Sequence, residues 1–238
     1  MAGDTPWCGG NDLKLYLQSG QFSATLKTSR LVSAIDLYPS GIAWDGKNTP
    51  WCGDVDDKLY LQSGQFSATL KTSLSVSAID NVVQDISYDR INTPWCGSVD
   101  DKLYLQSGQF STTMKTSLSI GGVETIPEGI SYDGRNTPWC GTFDGKLYLQ
   151  SGQFSATMKT SISVLAIDLL PSGISWDGTN TPWCGANDIK LYLQSGQFSA
   201  TMKTSISISA IDLDPEGIEN TFRLSVPSEL LLLRVTQP

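Results

Sequence analysis

Short stretches of this chain alternate between apolar and polar residues, and Lys58–Gln62 is the clearest of them. Leu59 and Leu61 fall on one face of the stretch, and Lys58, Tyr60 and Gln62 fall on the other. A period of two is typical of a β-strand. Glycine and serine interrupt the pattern about every 8–12 residues, as in sheets of short strands, and no stretch has a helical period. The pattern therefore predicts short strands joined by turns.

The pattern recurs with a fixed period of 44 residues. The tripeptide Trp-Cys-Gly marks every copy, and the copies begin at Thr5, Thr49, Thr93, Thr137 and Thr181. Each copy has four strand signals: Gly-Ile-Ser-Trp-Asp, Thr-Pro-Trp-Cys-Gly, Lys-Leu-Tyr-Leu-Gln, and a longer Ser- and Thr-rich segment such as Phe66 to Val76. A unit of this size cannot bury its own apolar faces, so the period predicts an array of units that pack on one another.

Three details of the repeat resemble the β-propeller group. They are a Pro-x-Gly entry (Pro39-Ser40-Gly41), an aromatic-Asp-Gly turn (Trp176-Asp177-Gly178) and an acidic residue before the third strand, such as Asp56. The resemblance covers residues 5–218, and it extends to tachylectin-like proteins in blade number only. It implies an all-β fold, a five-bladed β-propeller of four-stranded antiparallel blades.

The ends of the repeat predict how the ring closes. The first blade lacks its first strand, and the C-terminal part holds a spare one. We expect one propeller over residues 1–224, closed by a strand near Gly217 to Leu224 that pairs beside Thr5-Pro6-Trp7. Residues 225–238 have left the repeat, and their apolar Leu230 to Leu233 could extend a strand, cover an edge or join another chain.

Composition narrows the function. The net charge is −8 and the chain has no histidine, which disfavours nucleic-acid binding and removes the commonest general base and metal ligand. No segment is apolar over the length of a membrane span, so we expect a soluble protein that is not held in a membrane. We also expect a monomer that needs no cofactor. The first residues do not form a signal peptide. Free cysteines fit cytoplasmic synthesis, and a place in a virion is also compatible.

The repeated polar and sulfur-containing residues have structural interpretations. The five cysteines occupy equivalent positions and are not arranged as zinc ligands, so we expect buried, reduced thiols without metal. We expect the acidic residue before each third strand to cap a turn and to pair with the lysine two positions later. These acidic residues are Asp12, Asp56, Asp100, Asp144 and Asp188. Because such groups repeat with the scaffold, no asymmetric catalytic set is visible, and we expect no enzyme.

One aromatic position varies between Trp and Tyr, as suits a ring in a partly wet place. We take this position and the acidic residue after it as weak candidates for ligand binding: Trp44, Asp45, Tyr88, Asp89, Tyr132, Asp133, Trp176 and Asp177. A ligand would then bind once per blade or between blades. The fifth copy should be defective, because Asn220 and Thr221 stand at its aromatic and acidic positions.

The function predicted from these residues is a non-enzymatic, multivalent binding module, with a glycan or another protein as its partner. Sugars stack on aromatic rings and hydrogen-bond to neighbouring polar groups, so carbohydrate is the ligand class considered. Two alternatives remain open at this point. The chain could be a structural or adhesion component of a viral, phage-tail-like or surface assembly, or a repeat amplification without a defined activity.

Overall fold

The computed structural model describes residues 4–219 apart from Gln21 and Gln65, and this part contains twenty β-strands and no helix. They fall into four sets of five. The innermost strands are β4 (Pro39–Ile42), β8 (Val83–Ile86), β12 (Pro127–Ile130), β16 (Pro171–Ile174) and β20 (Pro215–Ile218). The second strands are β1 (Thr5–Gly9), β5 (Thr49–Gly53), β9 (Thr93–Gly97), β13 (Thr137–Gly141) and β17 (Thr181–Gly185).

The third strands carry Lys-Leu-Tyr-Leu-Gln and are β2 (Lys14–Gln18), β6 (Lys58–Gln62), β10 (Lys102–Gln106), β14 (Lys146–Gln150) and β18 (Lys190–Gln194). The outermost strands are β3 (Leu26–Leu31), β7 (Leu70–Ser75), β11 (Met114–Ser119), β15 (Met158–Ser163) and β19 (Met202–Ser207). Each antiparallel sheet contains one strand from each set. The innermost strands contact one another in a ring, β4 to β8, β12, β16, β20 and back to β4. The protein is a five-bladed β-propeller, as its sequence predicts.

The first sheet is built from both ends of the described chain. Strand β20 pairs antiparallel with β1, with Trp7 opposite Ile218 and Cys8 opposite Gly217. This blade therefore has the order β20-β1-β2-β3. Residues 220–224 of the predicted closing segment, and the predicted tail of residues 225–238, lie outside the described residues.

The apolar core lies between neighbouring blades, because the two faces of each blade carry different side chains. In the first blade, Trp7 stacks on Tyr16 with ring centroids 4.1 Å apart, and the same stack recurs in all five blades at 4.1–4.2 Å. This pair packs against Cys184 and Leu191 of the preceding blade. The cysteines form no disulfide bonds and are buried in every blade. Because alternate residues of a strand point to opposite faces of the sheet, one face of each blade packs against the opposite face of its neighbour.

The outermost strands are shorter than the pattern predicted. The segment from Phe66 to Val76 was expected to be one strand, but β7 spans only Leu70–Ser75. The residues before it form a turn in which Phe66 has a φ of 59° and its N–H donates to Thr49 Oγ1. A left-handed residue interrupts the pairing of an extended strand, which is why the strand begins late.

The innermost strands also differ from the prediction, with a consequence for the site. The expected strand Gly-Ile-Ser-Trp-Asp begins in the structure at the preceding proline and ends at isoleucine, as in Pro39–Ile42. Pairing ends there because the following Asp45 forms a turn of its own, accepting a hydrogen bond at 2.7 Å from the N–H of Lys47. Such local side-chain bonds compete with sheet pairing. The aromatic and acidic residues therefore lie in turns beyond the ends of the innermost strands.

The repeated acidic residues form the ion pairs that their sequence predicted. Each pairs with the lysine two positions later, at 2.6–3.1 Å. These pairs are partly exposed and contribute little stability individually. No helix in the described part of the chain is long and apolar enough to cross a membrane.

Candidate ligand-binding site

Four turns gather at one end of the propeller axis, each following an innermost strand and each built around an aspartate. In the second blade, Asp45 Oδ2 accepts a hydrogen bond at 3.0 Å from Asn48 Nδ2, and the turn closes through the N–H of Asp45 and the carbonyl of Asn48 at 3.2 Å. Asp177 accepts equivalent bonds from Thr179 and Asn180. Aspartate is favoured here because its short side chain can cap a turn.

Glutamines from neighbouring blades fasten three of these turns to the adjacent blade. Gln109 Nε2 donates to Asp45 Oδ2 at 2.6 Å, Gln153 donates to Asp89, and Gln197 donates to Asp133. Burial by itself would raise the pKa of Asp45, but hydrogen bonds from Asn48 and Gln109 outweigh it, and the pKa is lowered. The aspartates therefore hold the turns in place, and their acceptor positions are already used by the protein.

The aromatic residue before each aspartate lies at a half-buried position, as its sequence predicted. Trp44, Tyr88, Tyr132 and Trp176 come from four different blades and line one cavity of about 470 Å³. Asp45 and Asp133 also line it, whereas Asp89 and Asp177 are each only 7% exposed and do not. The sequence predicted that a ligand would bind once per blade or between blades. In the structure these aromatic residues line one cavity, because equivalent turns lie around a common axis.

One ring of equivalent residues lies between the innermost strands and the aromatic turns. It consists of Ala43, Ser87, Ser131, Ser175 and Glu219. Ser87 and Glu219 line the cavity, and Ser175 donates a hydrogen bond to Glu219 Oε1 at 2.8 Å. The first four are buried, and Glu219 is half-buried. Sequence reasoning missed Glu219, although it could be found as the one charged residue at a position otherwise occupied by Ser or Ala.

Arg90 also breaks the repeat. It lines the cavity at a position where the other turns have glycine, and its φ is 81°, in the left-handed region that glycine adopts without strain. The Tyr88 hydroxyl donates to the Arg90 carbonyl at 2.6 Å. An exposed arginine at the rim was not predicted, and the departure from Gly46, Gly134 and Gly178 is the signal that could have revealed it.

The innermost strands approach closely beneath the cavity. A Cβ on Gly173 would lie 2.9 Å from Gly217 Cα, so a side chain at Gly173 would require its neighbours to shift. Asp85 takes the place of this glycine in its own strand, and its buried carboxyl group accepts hydrogen bonds from the N–H groups of Ile86 at 2.8 Å and Ile130 at 2.9 Å. Burial raises the pKa of Asp85 well above its usual range despite these bonds.

The opposite end of the axis has different chemistry. Tyr38 Oη lies 2.7 Å from both Asp214 Oδ2 and Glu216 Oε1. A phenol has one hydrogen to donate, so the hydroxyl can donate fully to only one of the two carboxyl groups. Burial, followed by the charge of Asp214, raises the pKa of Glu216 well above normal, and burial and the charge of Asp54 raise the pKa of Glu128 to about 8.

The cavity offers aromatic surfaces, a serine hydroxyl and the half-buried carboxyl groups of Asp45, Asp133 and Glu219. A small molecule of a few rings would fit, since ligand pockets commonly measure about 300–1,000 Å³. Within residues 4–219, no group of three or more His, Cys, Asp or Glu side chains is arranged to hold a metal ion. The fifth turn, at Asn220 and Thr221, lies outside the described residues.

Comparisons with known proteins concern the fold. The sequence matches no protein-family model and no curated protein. The structure is similar to a chain in the crystal structure of a nidogen/laminin complex, with a TM-score of 0.63 and 12% identity over 91% of this chain and 97% of that one.

Two further solved structures are similar. One is a streptogramin B lyase, with a TM-score of 0.51 and 12% identity over 88% of this chain and 67% of that one. The other is the glutaminyl cyclase of Myxococcus xanthus, with a TM-score of 0.53 and 11% identity over 84% and 76%. These neighbours are propeller proteins. At such low identity they show a shared fold, and they assign no activity to this chain.

Proposed function

We propose that this propeller is a non-enzymatic binding protein whose ligand site is the axial cavity and whose ligand is a carbohydrate. The observation that supports this most is the meeting of four half-buried aromatic side chains, each from a different blade, around one cavity. Sugar rings present apolar C–H faces that pack on aromatic rings, while their hydroxyl groups pair with polar side chains at the edges.

The absence of catalysis is part of this proposal, and the engagement of the aspartates supports it. A general acid or base must reach the proton that it transfers. The carboxyl groups of Asp45 and Asp89 are instead held by turn and inter-blade hydrogen bonds, and burial of both is outweighed so that their pKa values are lowered. Groups held in this way suit a rigid binding site.

The proposal predicts one ligand per chain, because the candidate residues of four blades share a single cavity. Glycan-array screening followed by calorimetry should give a stoichiometry near one. A stoichiometry of four or five would contradict the axial site and favour the multivalent, per-blade arrangement. Failure of a folded chain to bind any glycan would contradict the proposal as a whole and favour a structural role.

Tryptophan fluorescence gives a second readout. Five of the seven tryptophans are buried in the blades and fully covered, so a response to ligand should come from Trp44 and Trp176. Trp44→Ala and Trp176→Ala should each weaken binding about tenfold, or about 1.4 kcal/mol. Phe143→Ala is the matched control, because Phe143 is 77% exposed in a turn at the other end of the blade. Binding unchanged in both tryptophan variants would place the ligand elsewhere.

A further inference from the structure

The floor of the cavity holds a carboxyl group in a defined position. Glu219 occupies the ring position where the other blades have Ala43, Ser87, Ser131 and Ser175. Its Oε1 accepts the hydroxyl hydrogen bond of Ser175, which is itself completely buried. A buried donor fixes the carboxyl group beside the cavity, so a ligand group that enters meets it without a large rearrangement.

The wall of the cavity is acidic as well as aromatic. Asp45, Asp133 and Glu219 line it, against one basic residue, Arg90. Burial raises the pKa of the Tyr88 hydroxyl, and the negative charges of Asp45 and Asp89 raise it further. The faces of aromatic rings also attract cations, with indole the strongest. The carboxyl groups and the aromatic faces favour a positively charged ligand over a neutral one.

Among the described residues that line the cavity, Arg90 carries the one positive charge. It is exposed, and it stands where three other turns have glycine. Its charge should therefore weaken the preference for a cation without removing the source of that preference at Glu219. The two departures from the repeat therefore act in opposite directions and can be separated by substitution.

We infer that the ligand carries a protonated amino group, and that this group lies among the aromatic rings with Glu219 as its hydrogen-bond acceptor. The inference rests on the proposed function and narrows its sugar to an amino sugar. A charge-assisted hydrogen bond to an ammonium group is stronger than one to a neutral hydroxyl, which gives the site a way to distinguish the two.

Calorimetry with three matched sugars tests this charge preference. D-Glucosamine should bind about tenfold more tightly than D-glucose below the pKa of its amine. N-Acetyl-D-glucosamine keeps the nitrogen but loses the charge, so it should behave as D-glucose does. The advantage of the amine should shrink at high salt, because screening weakens charge interactions.

Glu219→Gln should remove this advantage of the amine over D-glucose. Glu128→Gln, which removes a carboxyl group at the opposite end of the axis, should keep it. Arg90→Gly, which restores the repeat residue, should enlarge it. Circular dichroism checks that each variant is folded, and Glu219→Ser is a second test because serine occurs at this ring position in three blades.

The outcomes separate the two proposals. Equal binding of D-glucose and D-glucosamine, or a preference that survives Glu219→Gln, overturns the inference and leaves the carbohydrate site standing. Binding of ethanolamine, which has a protonated amino group, without binding of any sugar supports the inferred site and contradicts the carbohydrate proposal. A folded protein that binds neither the sugars nor ethanolamine overturns both.

Discussion

The bodies of the blades and the strands along the axis follow different rules. The second and third strands read Thr-Pro-Trp-Cys-Gly and Lys-Leu-Tyr-Leu-Gln in all five blades, whereas the innermost strands read Pro-Ser-Gly-Ile, Val-Gln-Asp-Ile or Pro-Glu-Gly-Ile. Blade bodies must each fit an identical neighbour, so one solution is repeated. Residues around the axis face a shared space, and one blade can change without a matching change in the next.

This contrast separates stability from recognition. The stacked Trp and Tyr pairs and the buried thiols hold blades together, and every blade contributes equally. Glu219, Arg90 and Asp85 each occur once, and all three lie at the axis or at its mouth. An asymmetric ligand needs different groups in different places, and the axial region supplies them.

The largest effect should come from breaking the ring. Deleting residues 215–238 removes β20, which leaves β1 without its inner neighbour and Trp7 without Ile218. We expect a loss of roughly 5 kcal/mol or more, comparable to the whole stability of a domain, seen as an unfolded or aggregated chain by circular dichroism and size-exclusion chromatography. Deleting only residues 225–238 keeps β20 and should cost far less. An unchanged melting temperature in the longer deletion would contradict closure by β20.

The next comparison uses one residue type in two regions of the same blade. Trp183 is fully buried against Tyr192, whereas Trp176 is half-buried at the cavity. Trp183→Ala should destabilise the fold by about 3–5 kcal/mol because it leaves a cavity, and Trp176→Ala should cost about 1 kcal/mol or less. Urea unfolding measures both. Equal losses would show that the axial tryptophan is also a packing residue.

A smaller effect should appear in the pH dependence of stability. The pKa of Glu128 is raised to about 8, by burial and then by the charge of Asp54, whereas an unfolded glutamate titrates near about 4.3. Between these values the folded chain binds more protons than the unfolded one, so stability falls as pH rises from about 5 to 8.

Glu128→Ser, which copies the residue at Ser40 and Ser172, should flatten this fall by about 1–2 kcal/mol. The expected change is smaller than the full pKa shift implies, because Glu128 is only half-buried. Urea unfolding at several pH values measures the slope. A slope that is equal in wild type and variant would show that Glu128 is ionised in the fold and that other carboxyl groups carry the dependence.

Some of the candidate site could be predicted and some could not. The exchange of Trp and Tyr at positions such as Trp44 and Tyr88 indicated a partly wet place, and both side chains are half-buried at the cavity. The number of ligand sites could not be predicted from the same pattern. A repeat period says that residues are equivalent, and it does not say whether their side chains point apart or toward one axis.

Glu219 and Arg90 also show that the sequence pattern does not reveal which side chains meet at the axis. Both stand out in the aligned repeats, but their value depends on lying beside four aromatic rings, which the linear pattern does not show. The sequence predicts a ligand-binding role for the aspartates that follow those rings. In the structure, Asp45 and Asp133 accept hydrogen bonds from glutamines of neighbouring blades. These bonds join residues 64 positions apart.

The sequence by itself determined the strands, the number of blades and the faces that pack between them. These follow from local alternation and from a fixed period, and both are properties of neighbouring residues. Only the tertiary structure decided that four equivalent turns share one cavity, that Glu219 lies on its floor, and that Asp85 fills the row of glycines. Those relations arise when the ring closes, because closure converts equal spacing along the chain into convergence on an axis.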